Sequence, residues 1–165
     1  MRQVTISEDR ARDPWGYNVP WLSRDGARTP MQWTPGENAG FTPPGVTSWL
    51  PIGPDYETIN VETELGDSES TLHLYRRLLA LRKAHPALRI GSYLTHPSST
   101  EDVLVYRRES DTETMTVALN FSNEETVVRT GRGQIVFSTS DEDRGGRCDK
   151  EVTLGPAEGL VIDHT

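Results

Sequence analysis

The densest grouping of residues able to do chemistry is Ser23-Arg24-Asp25-Gly26-Ala27-Arg28-Thr29-Pro30-Met31-Gln32-Trp33. Arg24 and Arg28 flank Asp25, Gly26 permits a turn between them, and an aromatic follows. A guanidinium is a rigid fork of five donors that pairs bidentately with a carboxylate or grips a hydroxyl-bearing ligand. The indole of Trp33 offers an apolar face on which a sugar ring or a base could stack. The same spacing fits a structural Arg–Asp–Arg network that pins a loop, and spacing alone favours that reading.

Other chemistries fail on their residues. The run Asp141-Glu142-Asp143-Arg144-Gly145-Gly146 opens like a calcium loop, but its fifth position is Gly145 and its twelfth is Val152, where a bidentate Glu is needed. His73, His85, His96 and His164 are scattered, with no pair at metal-ligand spacing, and His73 reads as a surface helix residue. Cys148 is the sole cysteine, which excludes an internal disulfide and a multi-Cys zinc site. It falls in a charged loop with nothing to activate it. Asn120-Phe121-Ser122 fits a glycosylation sequon, read as coincidental without a secretory signal. Asp55, Glu57, Glu62 and Glu64 read as solvated loop charges, and no metal site is expected.

The elements that must position these residues divide the chain unevenly. All four Trp, eight of eleven Pro and six of fourteen Gly lie in residues 1–54, which show no sustained helical or strand period. Disordered segments are poor in aromatics, so this stretch reads as an ordered, functional loop that packs over something larger. Residues 67–85 then read as one helix, capped by Asp67, Ser68 or Ser70 and stopped by Pro86. Leu74, Tyr75, Leu78 and Leu81 form its apolar stripe, widened by Leu72 and Leu79. Beyond Gly91 come short alternating strands at Val103–Tyr106, Met115–Leu119, Val127-Val128, Ile135–Phe137, Val152–Leu154 and Leu160–Ile162, separated by turns. Six or seven such strands predict an antiparallel sandwich, with Tyr93, Tyr106, Phe121 and Phe137 as core or turn residues.

Charge and hydropathy bound the partners. A net charge of −8 and a pI near 5.0 oppose a phosphate-neutralising surface. No apolar run approaches a membrane span, and Met1-Arg2-Gln3-Val4 opens no signal peptide. A cytoplasmic protein is expected, with neither nucleic acid nor membrane as partner.

Taken together, SRDGARTPMQW at 23–33, Asn38-Ala39-Gly40-Phe41, Trp49-Leu50-Pro51, Asn60-Val61 and the helix LYRRLLALRKAHPAL resemble the α-glucosidase branch of glycoside hydrolase family 13. That branch includes oligo-1,6-glucosidases, sucrose isomerases and trehalose synthases. Ile6–Arg10 and Asp13-Pro14-Trp15 resemble its barrel-end loop, while Ala118–Ser122 and Glu158–Val161 resemble its C-terminal sandwich. The fold implied is α+β: residues 1–88 supply the long loop and last helix of a (β/α)8 catalytic barrel, and residues 89–165 a small antiparallel β-sandwich.

The resemblance also implies function. Barrel enzymes carry their catalytic groups on loops at the C-terminal face, and the family's nucleophile Asp, acid/base Glu and third Asp belong to motifs upstream of this loop, none of which occurs here. A retaining glycosidase needs two carboxyl groups about 5–5.5 Å apart, and no such pair can be assigned. The expectation is the C-terminal part of an α-glucosidase acting on short α-glucoside oligosaccharides, without a cofactor and inactive alone. A barrel polypeptide is the implied partner. Arg24 matches the family's Arg that grips the terminal glucose beside an Asp from the first barrel loop, so its carboxylate partner is expected to be missing. Asp25 and Arg28 match supporting positions. The alternatives are a non-catalytic sandwich module binding glucan or protein, and the remnant of a trehalose synthase or sucrose isomerase. On this reading residues 92–165 fold as a sandwich alone, while residues 1–88 are poorly ordered or aggregation-prone without a barrel. The alternative is that the helix docks on the sandwich and leaves only residues 1–66 loose.

Overall fold

The computed structural model describes residues 6–19, 22–140 and 145–165, with the side chains of residues 17 and 18 left aside. Trp21 and residues 141–144 of the calcium-like run lie outside them. The chain falls into two compact units, Met1–Arg76 and Arg77–Thr165. The division lies within a helix, ahead of the 88/89 boundary read from sequence.

The first unit is held mostly by short turns. Helix α1 (Pro14–Asn18) starts at an Asp-Pro pair: Asp13 is the N-cap and Pro14 the first helical residue, whose missing N–H costs nothing there. Two 3-10 turns follow, at Asp25–Ala27 and Glu37–Gly40. The second holds three consecutive left-handed residues, Asn38, Ala39 and Gly40. The buried Ala39 turns its carbonyl to the amides of Trp33 (2.8 Å) and Thr34 (3.1 Å). Asn38 Nδ2 donates to the carbonyls of Pro43 and Val46, both at 3.1 Å, which fixes the next turn. Gln32 and Trp33 in turn accept from the amides of Val61 and Glu62, each at 3.0 Å. These open helix α2 (Val61–Leu65), capped by Asn60 Oδ1 on the Thr63 amide at 2.9 Å. Among the described residues of this unit only Ala11, Ala39 and Leu50 are buried hydrophobics.

Helix α3 (Thr71–Ala84) is shorter than the sequence suggested, because Asp67–Ser70 form a turn before it. Glu64 Oε2 accepts from the Leu72 amide at 3.0 Å, so Glu64 caps the helix and is more than a solvated charge. Tyr75 and Leu79 are exposed, against expectation. At about 100° per residue they are rotated away from the partly buried Leu74, Leu78 and Leu81. Pro86 ends α3 as expected and also opens α4 (Pro86–Ile90). Glu113 Oε2 accepts from the Ala87 amide at 3.1 Å there, and its Oε1 meets His85 Nδ1 at 3.2 Å.

The rest is an antiparallel sandwich of eight strands. A six-stranded sheet has the order β1-β2-β3-β8-β5-β6, from β1 (Ser92–Thr95), β2 (Val103–Glu109), β3 (Thr114–Asn120), β5 (Gly133–Ser138), β6 (Gly146–Cys148) and β8 (Gly159–Asp163). The second sheet pairs β4 (Thr126–Arg129) with β7 (Glu151–Leu154). One face of the large sheet sends Val103, Val105, Ala118, Leu160 and Ile162 against Val128, Val152 and Leu154. Its other face carries Met115, Val117 and Val161, covered by Ala87, Leu81 and Leu88. Each large side chain so buried is worth roughly 1.5–3 kcal/mol. Cys148 is buried in β6, not in a loop. Asn120 is buried and bonds the carbonyls of Glu124 (2.7 Å) and Gly155 (2.8 Å), which makes the sequon structural. Tyr93 is exposed on β1, so it is neither the core nor the turn residue expected, and its ring centroid lies 5.1 Å from that of Tyr106.

Candidate functional site

The 23–33 segment builds its site around a carboxylate that spacing did not single out, Asp13. Gly16 allows the backbone of α1 to approach Ser23, since a Cβ there would stand 2.9 Å from Ser23 Oγ. That approach brings Arg24 onto Asp13. Asp13 Oδ2 accepts from Arg24 Nε at 2.7 Å and from the Arg24 amide at 2.9 Å, and Oδ1 accepts from Nη2 at 3.1 Å. Oδ1 also takes the Trp15 amide at 3.3 Å. Arg24 is therefore gripped along its Nε/Nη2 edge by Asp13, a neighbour in its own unit and not the first-barrel-loop carboxylate that the resemblance implies. Among the described residues its Nη1 and the outer N–H of Nη2 have no hydrogen-bond partner, and its side chain is 59% exposed.

Asp25 does not join an Arg–Asp–Arg network. It is 1% exposed, and its Oδ2 accepts from the amides of Arg12 (2.7 Å) and Asp13 (3.0 Å). The 3-10 turn that begins at Asp25 turns its side chain inward onto this backbone. Its Oδ1 is buried and has no hydrogen-bond partner among the described residues. Arg28 is exposed and bonds Asp25 only through the backbone, amide to carbonyl at 2.9 Å. The arrangement is a relay: Asp25 fixes the Asp13 backbone, Asp13 fixes Arg24, and Arg24 presents a free edge.

Electrostatics follow the geometry. The Arg24 hydrogen bonds, side chain first and backbone second, hold the Asp13 carboxyl well below the usual carboxylate range against the opposing cost of burial. The same contact raises Arg24 above its ordinary value. Asp13 thus stays ionised at any physiological pH and cannot serve as a general acid. Both Asp13 and Asp25 are committed to structure, so neither offers the free carboxyl that glycoside cleavage needs.

An open cleft of about 340 Å³ lies elsewhere in the same unit, bordered by Arg10, Glu37, Asn38, Val46, Ser48 and Ile52. It includes neither Arg24 nor Asp13, and its walls are occupied: Arg10 Nη2 donates to the Ser48 carbonyl at 3.3 Å and Glu37 Oε1 accepts from the Gly45 amide at 2.8 Å. Trp15, Trp33 and Trp49 are 62%, 48% and 49% exposed. Asp13 was findable as the N-cap of an Asp-Pro helix start. Nothing in the sequence signalled that its side chain faces Arg24. Among the described residues no group of three His, Cys, Asp or Glu could hold a metal, and no helix is long and apolar enough to cross a membrane.

Comparison with known proteins places this geometry. The family model described as "Alpha amylase, catalytic domain" matches residues 2–91. The oligo-1,6-glucosidase of Parageobacillus thermoglucosidasius is 37% identical over 162 residues, 93% of this chain and 28% of its own. The trehalose-6-phosphate hydrolase of Escherichia coli (strain K12) is 42% identical over 102 residues, 62% of this chain and 18% of its own. The crystal structure of the trehalulose synthase MutB from Pseudomonas mesoacidophila MX-45 is similar with a TM-score of 0.79 and 34% identity, over 90% of this chain and 27% of that one. The α+β arrangement of barrel-end segment and antiparallel sandwich agrees with this likeness. The chain spans about a quarter of the length of these relatives.

Proposed function

Since the chain belongs to the α-amylase family, glycoside hydrolase family 13, we propose that it is the C-terminal part of an α-glucosidase-like glycoside hydrolase. In this reading the substrates are short α-glucosides, and the compartment is the cytoplasm. Residues 1–88 form the end of the catalytic barrel and residues 89–165 its sandwich. Arg24 binds the non-reducing-end glucose through its free guanidinium edge, with Asp25 and Arg28 in supporting roles. The nucleophile and the acid/base are carried by barrel segments supplied as a partner polypeptide. No organic cofactor is needed, because two carboxyl groups suffice for retaining cleavage.

The observation that carries this reading is the Asp13–Arg24 clamp within the 23–33 segment. It holds a cation rigidly by one edge and leaves the other edge open to hydroxyl oxygens. The test is co-expression of the 165-residue chain with the barrel segment of the Parageobacillus oligo-1,6-glucosidase that precedes its matching region. Release of p-nitrophenol from p-nitrophenyl α-glucoside is expected from the pair and not from the chain alone. Arg24→Ala should lower kcat/KM by about 10²-fold or more, the scale of losing one substrate-positioning contact. Turnover by the chain alone that Arg24→Ala abolishes would overturn the proposal. The likeness to a trehalulose synthase favours one second reading, an isomerase parent. Sucrose offered to the reconstituted pair separates the two: glucose release marks a hydrolase, and a rearranged disaccharide marks an isomerase.

A further inference from the structure

Outside the Arg24 site, unit Arg77–Thr165 gathers basic groups at one end of its sandwich, although the chain as a whole carries −8. Strand register sets this up. Arg107 on β2 lies opposite Leu94 of β1 and Thr116 of β3, two residues after Val105 and on the same strand face, which enters the inter-sheet core. Arg107 is half-buried, its Nε is fully buried with no hydrogen-bond partner, and no described carboxylate pairs with it. Its Nη2 reaches the bend after β4, where a Cβ added at Gly131 would stand 3.7 Å away.

Two histidines share this end. His164 Nδ1 lies 2.6 Å from the Arg132 carbonyl, which can only accept, so Nδ1 carries the proton. Nε2 of the neutral ring then accepts from the buried Thr116 hydroxyl at 2.7 Å. His96 Nδ1 accepts from the Ser98 amide at 3.2 Å, which leaves its Nε2 as the donor of the neutral ring. Burial first, then Arg107 and His164, hold His96 below its ordinary value, consistent with three basic groups sharing one locale. The carboxylates beside the bend are taken: Glu151 bonds Arg129 Nε at 3.1 Å and Asp149 lies 3.9 Å from Arg132 Nε. Arg129 and Arg132 are thereby matched, and Arg107 has no such match among the described residues.

A half-buried guanidinium without a counter-ion is costly, and a planar guanidinium beside an imidazole N–H is a donor set suited to phosphate oxygens. We propose that this end of the sandwich is a binding site for a phosphate dianion, held by the Arg107 guanidinium and His96 Nε2–H. The site is independent of the glucosidase reading and lies on a different unit from Arg24.

The experiment titrates the intact 165-residue chain with inorganic phosphate at constant ionic strength, following the ring C–H resonances of His96 and His164. A saturable shift of both is expected, with a Kd on the order of 1 mM. Arg107→Gln should weaken binding by about tenfold or more, and His96→Gln by about threefold. A parallel titration with glucose 6-phosphate identifies the source: equal affinity points to free phosphate, and tighter binding to a phosphorylated sugar, either of which supports the site. The same shifts with sodium chloride, no saturable shift, or an unchanged affinity in Arg107→Gln overturns it. Should circular dichroism show Arg107→Gln unfolded, His96→Gln decides, and an unchanged affinity there overturns the site equally.

Discussion

The two units are built on different physics. Arg77–Thr165 buries aliphatic side chains on both faces of its large sheet, so its shape is set mainly by an apolar core, with buried polar groups such as Thr116, Asn120 and Glu158 beside it. Met1–Arg76 buries only three hydrophobic side chains among its described residues and leaves Trp15, Trp33 and Trp49 48–62% exposed. Its shape comes from buried polar groups instead: Asp13, Asp25, Asn60 and Ser70 each bond backbone of neighbouring turns. The lesson concerns function. A hydrophobic core tolerates change at its surface, whereas a polar clamp places one chosen group, here Arg24, and little else. A unit with so little apolar burial has little stability of its own to draw on.

Because every Trp lies in residues 1–54, tryptophan fluorescence reports only the first unit, and far-UV circular dichroism at strand wavelengths reports mainly the second. The contrast can be broken at either end. Glu158 is buried, and its carboxylate accepts from Ser138 Oγ, Ser140 Oγ and the Gly155 amide, each at 2.7 Å. Glu158→Ala should therefore give the largest effect, about 1–3 kcal/mol for the lost hydrogen bonds of the buried carboxylate. The strand signal should melt at least 4–8 °C earlier, with the fluorescence transition unmoved.

Asp13→Asn tests the other unit. The fluorescence midpoint in urea should fall while the strand transition stays in place. The same pair predicts an acid response. Asp13 has a depressed folded value, so its contribution is complete above the ordinary carboxylate range and is lost as pH falls below about 4 towards that value. Wild-type fluorescence stability should show this acid loss, and Asp13→Asn should flatten it.

Backbone substitutions should give smaller effects. Gly40 has φ of +66°, and an added Cβ would stand 2.8 Å from Thr34 Oγ1. Gly40→Ala should cost the first unit about 1–2 kcal/mol, read by fluorescence. Ala157 sits in the second unit at φ of 53°, so Ala157→Gly should stabilise the sandwich by up to about 1 kcal/mol, read as a higher melting temperature of the strand signal.

The same contrast decides what the sequence revealed. Six strands and the helix were legible, because a core written in Val, Ile and Leu leaves a period. Strand β1 was not, since all four of its residues are exposed, and β6 is three residues long with one buried side chain. In the first unit Arg24 was legible through its segment, and its partner was not. Polar clamps join residues such as Asp13 and Arg24 through turns that have no period, so their pairing is fixed only by the folded backbone. His96, Arg107 and His164 escaped for the same reason, standing far apart in sequence and together only through strand register.

Hydrogen exchange on the intact chain measures the difference between the units most directly. The account predicts slow exchange in α3 and in the paired strands β2, β3, β5 and β8. Fast exchange should run through residues 10–55, interrupted only where the Arg12, Asp13 and Arg24 amides bond buried carboxylates. Uniform protection across residues 10–55, equal to that of the strands, would contradict it, because the first unit would then be stable without the apolar core it lacks.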